Sequence, residues 1–379
     1  MERRAVVRDR EFSSNRSTPT STNVRRSRRD PHILEPSMRT DRIPQPETTM
    51  NVRTLTSSAL LLTLAACDGV YCGDVLIDAC RKAEDLAGFV GTEVAASHPV
   101  GNAVIGEGGG IHRQGRLSIG LRANTATLSA PVIGRPTLRR DGISGTAFQT
   151  RNDRGTSFGA DLAVGAFRGF RVRATRVGGV DLLGNLTRTP AFGSQDFRAR
   201  SKGLAGVGIG LRLGVVQETR SIPGVSLTAA TYVSQEYKAE TGQLPLTDSG
   251  TVSIALRRLR GETGIVRVAA SKQFGRFGLT GGVGTDSYHV TGDYRIKSAD
   301  PLLDSGWGSM SLDFRRNNAF GGGSIALGKA TLGVEAGTVF GGRQPVLTNT
   351  FGERRIDRAR GYVTVGVRMA AGRTFDVGR

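Results

Sequence analysis

Three cysteines, four histidines and an aromatic share of only 6% in 379 residues leave few groups for metal or redox chemistry. The cysteines crowd together at Cys67, Cys72 and Cys80, and zinc needs more ligands than that neighbourhood holds. His98 and His112 stand alone and propose no metal site. No complete P-loop with its Lys and Ser/Thr occurs. Gly206-Val-Gly-Ile-Gly210 is no dinucleotide fingerprint, because it lies inside an apolar alternation with no helical pattern after it. No cofactor is expected. The apolar run Leu55–Ala66, only 12 residues long, is too short to cross a bilayer as a helix.

Acidic residues are also in short supply: 33 against 52 Lys and Arg, a formal net charge of +19. Such a surplus ordinarily points to nucleic acid or acidic lipid. Here the arginines are dispersed. Residues 1–49 hold 11 Arg against 7 acidic residues, and many others alternate with apolar residues further on. That spacing turns them toward a lumen or solvent and makes no compact phosphate-binding patch, so nucleic acid is not an expected partner.

What the chain does have is glycine, 53 residues of it, set within a two-residue alternation. Val207-Gly-Ile209-Gly-Leu211-Arg-Leu213-Gly-Val215 places every apolar side chain on one face of a strand and Gly or Arg on the other. Glycines on an inward face make room for larger neighbours and ease curvature. A soluble sandwich would alternate in the same way, so the segment upstream decides. Met50-Asn-Val-Arg53 supplies a positive charge and Leu55–Ala66 an apolar core, the layout of an export signal. Export followed by many alternating strands predicts a transmembrane β-barrel.

Residues 1–49, rich in Arg, Ser, Thr and Pro, read as disordered and as an extension upstream of a start at Met50. Residues 50–66 read as the signal peptide. Leu64-Ala65-Ala66-Cys67 resembles a bacterial lipobox, which makes Cys67 a candidate for lipidation, with cleavage near Ala65 or Ala66 without lipid as the alternative. If Cys67 is acylated, Cys72 and Cys80 are left as a natural disulfide pair for an oxidising compartment; free thiols are the alternative. Residues 67–110 read as a periplasmic helix and linker. Val75, Leu76, Ala79, Ala83, Leu86 and Val90 recur at helical spacing, and Asp74 can cap the helix. It can sit in the barrel mouth, as the helix before an autotransporter barrel does, or pack at the periplasmic rim.

Residues 111–379 read as a closed antiparallel barrel of about 12 strands, with 10 as the alternative when neighbouring segments merge. The expected strands include Gly115–Ala123, Ser157–Ala166, Phe170–Val177, Leu204–Val215 and Tyr362–Met369. The stretches 124–156, 178–203, 234–251 and 341–361 read as long outer loops. Phe167, Phe170, Phe274, Phe277, Phe314, Phe340 and Tyr362 stand at strand ends, where interfacial aromatics belong. Inward candidates that line the lumen are Arg171, Arg173, Arg212, Arg257, Arg267, Asp313, Arg315, Glu335 and Arg368. Arginines in an open lumen would favour anions; paired with Asp313 and Glu335 they would form a closed core.

Over residues 110–370 the chain resembles bacterial outer-membrane β-barrel proteins. Gly106-Glu-Gly-Gly-Gly-Ile-His112 leading into Leu117-Ser-Ile-Gly-Leu-Arg122 resembles the start of uncharacterised members from environmental bacteria. The chain departs from the usual ending, since Phe375 is followed by Asp-Val-Gly-Arg. The resemblance implies the outer membrane of a Gram-negative-type bacterium, with its lipids and the barrel-assembly machinery as partners. The function expected is structural or a passive pore, with small anionic solutes as cargo. A secreted or lipid-anchored soluble β-protein that binds a partner is the alternative. A lipid hydrolase built on His289-Val290-Thr291 and Asp286 comes third: Tyr288 and Val290 read as lipid-facing, so His289 would face the lumen and no enzyme is expected.

Overall fold

The computed structural model describes residues 77–96, 101–108, 116–132, 149–189, 192–193, 197–202, 206–245, 250–298, 304–342 and 359–371. The segments read as signal peptide and lipobox, Cys67, Cys72 and the last eight residues lie outside these. Cys80 is disulfide-bonded, and its partner falls outside the described residues.

One helix, α1 (Ile77–Ala96), precedes the strands. These are β1 (Leu117–Val132), β2 (Gln149–Phe167), β3 (Phe170–Val172), β4 (Thr175–Val177), β5 (Gly179–Arg188), β6 (Phe192–Gly193), β7 (Phe197–Lys202) and β8 (Gly206–Val216). They continue with β9 (Gly224–Val233), β10 (Glu236–Thr241), β11 (Leu244–Pro245), β12 (Thr251–Phe274), β13 (Phe277–Ser298), β14 (Gly308–Leu327), β15 (Ala330–Phe340) and β16 (Arg360–Ala371). Antiparallel pairing runs from β1 through β2, β5, β8, β9, β12, β13, β14 and β15 to β16, which pairs back onto β1. The ring is closed and has ten strands. β10 and β7 extend the sheet beside the start of β12, so it contains twelve strands longer than two residues.

The difference between the two counts has local causes. The segments 252–258 and 265–272 are one strand, β12, and 308–315 joins 322–327 in β14. Phe170–Val177, expected as a barrel strand, is instead a separate hairpin, β3–β4, off the ring. The ring strand in that place is β5, which falls in the stretch expected to be an outer loop. With ten strands, the connections alternate cleanly. Residues 168–178, 217–223, 275–276 and 328–329 bridge one end; 133–148, 189–205, 234–250, 299–307 and 341–359 bridge the other. In outer-membrane barrels generally, short turns face the periplasm and long loops the outside.

The burial pattern is inside-out near the short turns. In β8, Ile209 is 73% exposed and Arg212 is 0% exposed. Leu121, Leu162, Leu186, Leu211, Val268, Val283, Val334 and Val365 are likewise exposed, each on a different ring strand. Phe158 and Phe340 mark the upper edge of this belt, and Phe167, Phe170, Phe274 and Phe277 the lower. From Phe158 to Phe167, β2 advances about 30 Å along the strand, which at a usual tilt gives roughly 23 Å of height, close to the apolar band of an outer-membrane barrel. A closed ring with such a belt is a transmembrane β-barrel.

Above the belt the chemistry reverses. Tyr288, Val290, Met310 and Phe314 point inward and are buried, while His289, Asp313 and Arg315 point out and are exposed. The inward residues pack on α1, where Leu86, Phe89 and Val90 join Ile254, Leu259 and Ile296 in one core. The Tyr288 and Phe314 rings stack with centroids 4.6 Å apart. This storey stands in water and is built as a soluble protein is. In β12, a bulge between Arg257 and Arg260 turns the chain over within the upper storey, so that odd residues face inward below it and even residues above.

The belt yields a direct prediction. Leu211→Arg places a charge on the lipid face and should cost about 2–4 kcal/mol near the midplane. Urea unfolding of the protein in vesicles measures it. An equally exposed change above the belt, Ser311→Arg, should cost almost nothing.

Candidate functional site

The lumen is the best-built site, and the protein fills it. Inward glycines stand directly across from the largest inward side chains: Gly208 opposite Tyr232, Gly282 opposite Phe320, Gly337 opposite Tyr362, Gly284 opposite Arg267 and Gly159 opposite Arg122. A Cβ added at Gly284 would come within 2.5 Å of Arg267, and one at Gly208 within 2.4 Å of the Tyr232 ring. Glycine is therefore the space that lets long side chains lie across the lumen.

Those side chains form ion pairs. Arg212 Nε donates to Asp181 Oδ2 at 3.0 Å, from the residue directly across the β5–β8 pairing. Arg122 pairs with Asp161 at 3.0 Å, and Asn185 donates to the same carboxylate at 2.6 Å. Arg267 pairs with Asp286 at 3.1 Å, and Asn318 donates to that carboxylate at 2.9 Å. Thr364 donates to Asn124 at 2.7 Å.

Residues 101–108 run through this lower lumen as a plug. Asn102 donates its backbone N–H to Glu335 at 2.9 Å, and its carbonyl accepts from Arg122 at 3.1 Å. The Gly101 carbonyl accepts from Arg267, and Glu107 pairs with Arg368. Gly101 has φ +80°, and a Cβ there would strike Glu335, so only glycine fits this bend. The void beside the plug, lined by Val104, Ile105, Asp161 and Arg368 among others, measures about 10 Å³, room for about one water.

Helix α1 fills the upper lumen. Tyr294 donates to Glu84 high in the barrel. Lower down, Gly91 lies against Val290 and Ala95 against Gly261. Glu93 is fully buried, pairs with Arg360, and accepts from the Ser129 backbone at 3.1 Å. Burial raises its carboxyl above the usual carboxylate range, with Arg360 opposing. Below the helix, Gly101 reaches Glu335, and Gly108 meets Ala270 and Ser271 near the short turns. The chain thus descends the whole lumen, with the start of α1 at the long-loop end. Of the two positions expected for this helix, it takes the one inside the barrel: its apolar residues find their core in the upper storey.

Of the expected lumen residues, Arg212, Arg267, Glu335 and Arg368 are inward and buried. The others are elsewhere. Arg171 and Arg173 are exposed on the hairpin off the ring. Arg257 lies at the bulge on the outer face, pairs with Asp293 at 2.9 Å and covers the Trp307 ring at 3.7 Å. Asp313 and Arg315 face outward, because their apolar neighbours turn in to meet α1. The same reversal carries His289 outward, where Nδ1 lies 2.8 Å from Asp313 Oδ1. Among the described residues no hydroxyl hydrogen-bonds this imidazole, and Asp286, once grouped with it, serves Arg267 inside. No group of three or more His, Cys, Asp or Glu side chains among the described residues is placed to hold a metal. Sequence reading missed Arg122, Asp161, Asp181, Asp286 and Glu107. Arg122 and Asp161 share the non-apolar parity of their strands, a signal that was present.

No family model and no curated protein matches the chain. Among solved structures it is similar to the translocator domain of the autotransporter NalP from Neisseria meningitidis, at 13% identity over 78% of this chain and 99% of that one, with a TM-score of 0.39. It is similar to the outer membrane protease OmpT from Escherichia coli at 10% identity, covering 68% and 96%, with a TM-score of 0.35. For the toluene transporter TodX from Pseudomonas putida the values are 9%, 68%, 89% and 0.28. Likeness at this level assigns no activity; the closed ring and its belt carry the fold. The protein is a transmembrane β-barrel.

Removing one partner of a sealed pair should be costly. Asp181→Ala leaves the fully buried Arg212 charge unpaired and should destabilise the barrel by about 3–5 kcal/mol, whereas Asp181→Leu combined with Arg212→Met should lose far less. A double-mutant cycle by urea unfolding in vesicles reads both.

Proposed function

We propose that the protein is a closed structural barrel that anchors its upper storey, and the chain leading into α1, at the cell surface. The observation that carries this reading is the direction of the lumenal segment: α1 begins at the long-loop end, and the chain leaves past Gly108 at the short-turn end. On this reading the exported chain passes outward through its own barrel and is held there by α1. The role is mechanical and display-related, and no bond is made or broken. Passage of anions is disfavoured because residues 101–108 occupy the path and the lumenal arginines already have carboxylate partners.

Two measurements test it. An epitope inserted between Gly73 and Asp74 should bind impermeant antibody on intact cells, while one in the Gly328-Lys329 turn should not. In planar bilayers the purified full chain should be electrically silent. A steady open conductance, or an upstream epitope that becomes accessible only after the outer membrane is broken, would overturn the proposal.

A further inference from the structure

The short-turn rim carries an uneven charge. Among the described residues, Arg168, Arg171, Arg173, Arg176, Arg220 and Arg276 lie there with Lys272 and Lys329, against one carboxylate, Glu218. Glu218 is engaged by the Gln273 backbone N–H, and Lys272 donates to the carbonyls of Thr219 and Arg220. The arginines have no acidic partner among the described residues.

The β3–β4 hairpin concentrates this charge. Its register places Arg171 directly opposite Arg176. Like charges at opposed positions destabilise a strand pair unless an anion lies between them. The dispersal expected from the sequence therefore fails here, because the chain folds back and brings two alternating arginines face to face. Arg173, at the hairpin tip, has a left-handed backbone with φ 53°, an uncommon conformation for a side-chain-bearing residue. The other face of the hairpin is apolar. Phe170 and Val177 are paired, with Val172 beside them, and Phe170 and Val172 are 69% and 47% exposed. The Phe170 ring meets Phe167 of the lower belt edge-on, with centroids 5.3 Å apart. The hairpin is also tied to the barrel: Gln217 N–H donates to the Arg176 carbonyl at 2.8 Å, and the Thr175 hydroxyl donates to the Gln217 carbonyl at 2.7 Å.

We propose that this hairpin is a binding site for the phosphate-bearing headgroup of an anionic phospholipid in the leaflet that faces the short turns. One face continues the apolar belt at the depth where acyl chains end. The other offers opposed guanidiniums, a geometry suited to bridging phosphate oxygens. Charge complementarity selects an acidic headgroup over a zwitterionic one. Continuity with the belt selects a lipid over a soluble anion.

The test uses the full-length protein in detergent, mixed with equal amounts of phosphatidylglycerol and phosphatidylcholine, with retained lipid counted by native mass spectrometry. Phosphatidylglycerol should be retained preferentially. Arg171→Gln with Arg176→Gln should lower that preference by roughly tenfold or more, on the scale usual for two basic side chains at a membrane surface. Arg171→Lys with Arg176→Lys should keep most of it. Faster gel migration of unboiled samples confirms that each variant is a folded barrel. The Ser311→Arg variant, altered on the opposite side of the belt, should match the parent. Equal retention of the two lipids by the parent, or an undiminished preference in the Gln pair, would overturn the proposal. So would full displacement by inorganic phosphate at a concentration equal to that of the lipid, which would make the site one for the free anion.

Discussion

Everything in this molecule depends on the pairing of β16 with β1. In hydrocarbon an unpaired strand edge leaves backbone N–H and C=O groups with no water to satisfy them. The ten-residue register from Leu117–Ala371 to Ala126–Tyr362 removes that edge. Once the ring is closed, Ile209 or Leu121 can face lipid at no polar cost, and the burden moves to the inside. A ten-stranded ring encloses more space than its own inward side chains fill when so many of them are glycine.

Two devices fill it. Across the sheet, glycine opposite Arg, Tyr or Phe lets the larger side chain lie flat over its neighbour. Along the axis, residues 101–108 and α1 supply a second layer of backbone and side chains. The ion pairs serve arrangement more than stability, since buried charges recover little beyond their desolvation cost. Their value lies in being shared. Arg122 holds both Asp161 of the wall and the Asn102 carbonyl of the plug, and Arg267 holds Asp286 and the Gly101 carbonyl. Moving the plug would leave wall charges short of partners.

The alternation at Val207–Val215 made the barrel legible, and Arg212 could be placed inside from parity alone. Asp313, Arg315 and His289 were misplaced for one reason: parity tells which residues share a face, but not which face meets lipid. In β13 the apolar residues sit at odd positions, Leu279 and Val283, and then at even ones, Tyr288, Val290, Tyr294 and Ile296. That switch marks where the strand leaves the hydrocarbon and its exterior becomes polar. In β12 the exposed Val266 and Val268 give way to the buried Ile265 and Leu259, and the bulge above them then inverts the strand again, so that Val252, Ile254 and Leu256 are the inward residues and no simple alternation announces it. Asp181 was hidden because Gly179–Arg188 is short and follows a hairpin that looks like a strand. The plug's partners could not be read at all, since Glu107 and Arg368 lie far apart in the chain and meet only through closure.

The filled lumen also constrains how the molecule is made. A helix with its side chains is about 10–12 Å across, whereas the void between the plug and Asp161 and Arg368 holds about one water. Helix α1 cannot pass a finished lower storey to reach the upper one. If the chain enters from the short-turn end, as the proposed function has it, the segment that becomes α1 crosses before the inward arginines and aromatics lock, and the strands assemble around a threaded chain. Because β1 follows the plug and β16 is the last strand, their pairing is the step that traps it. Closure and plugging are then one event, and the same β1–β16 contact that hides the sheet edges from lipid also holds the lumenal segment in place.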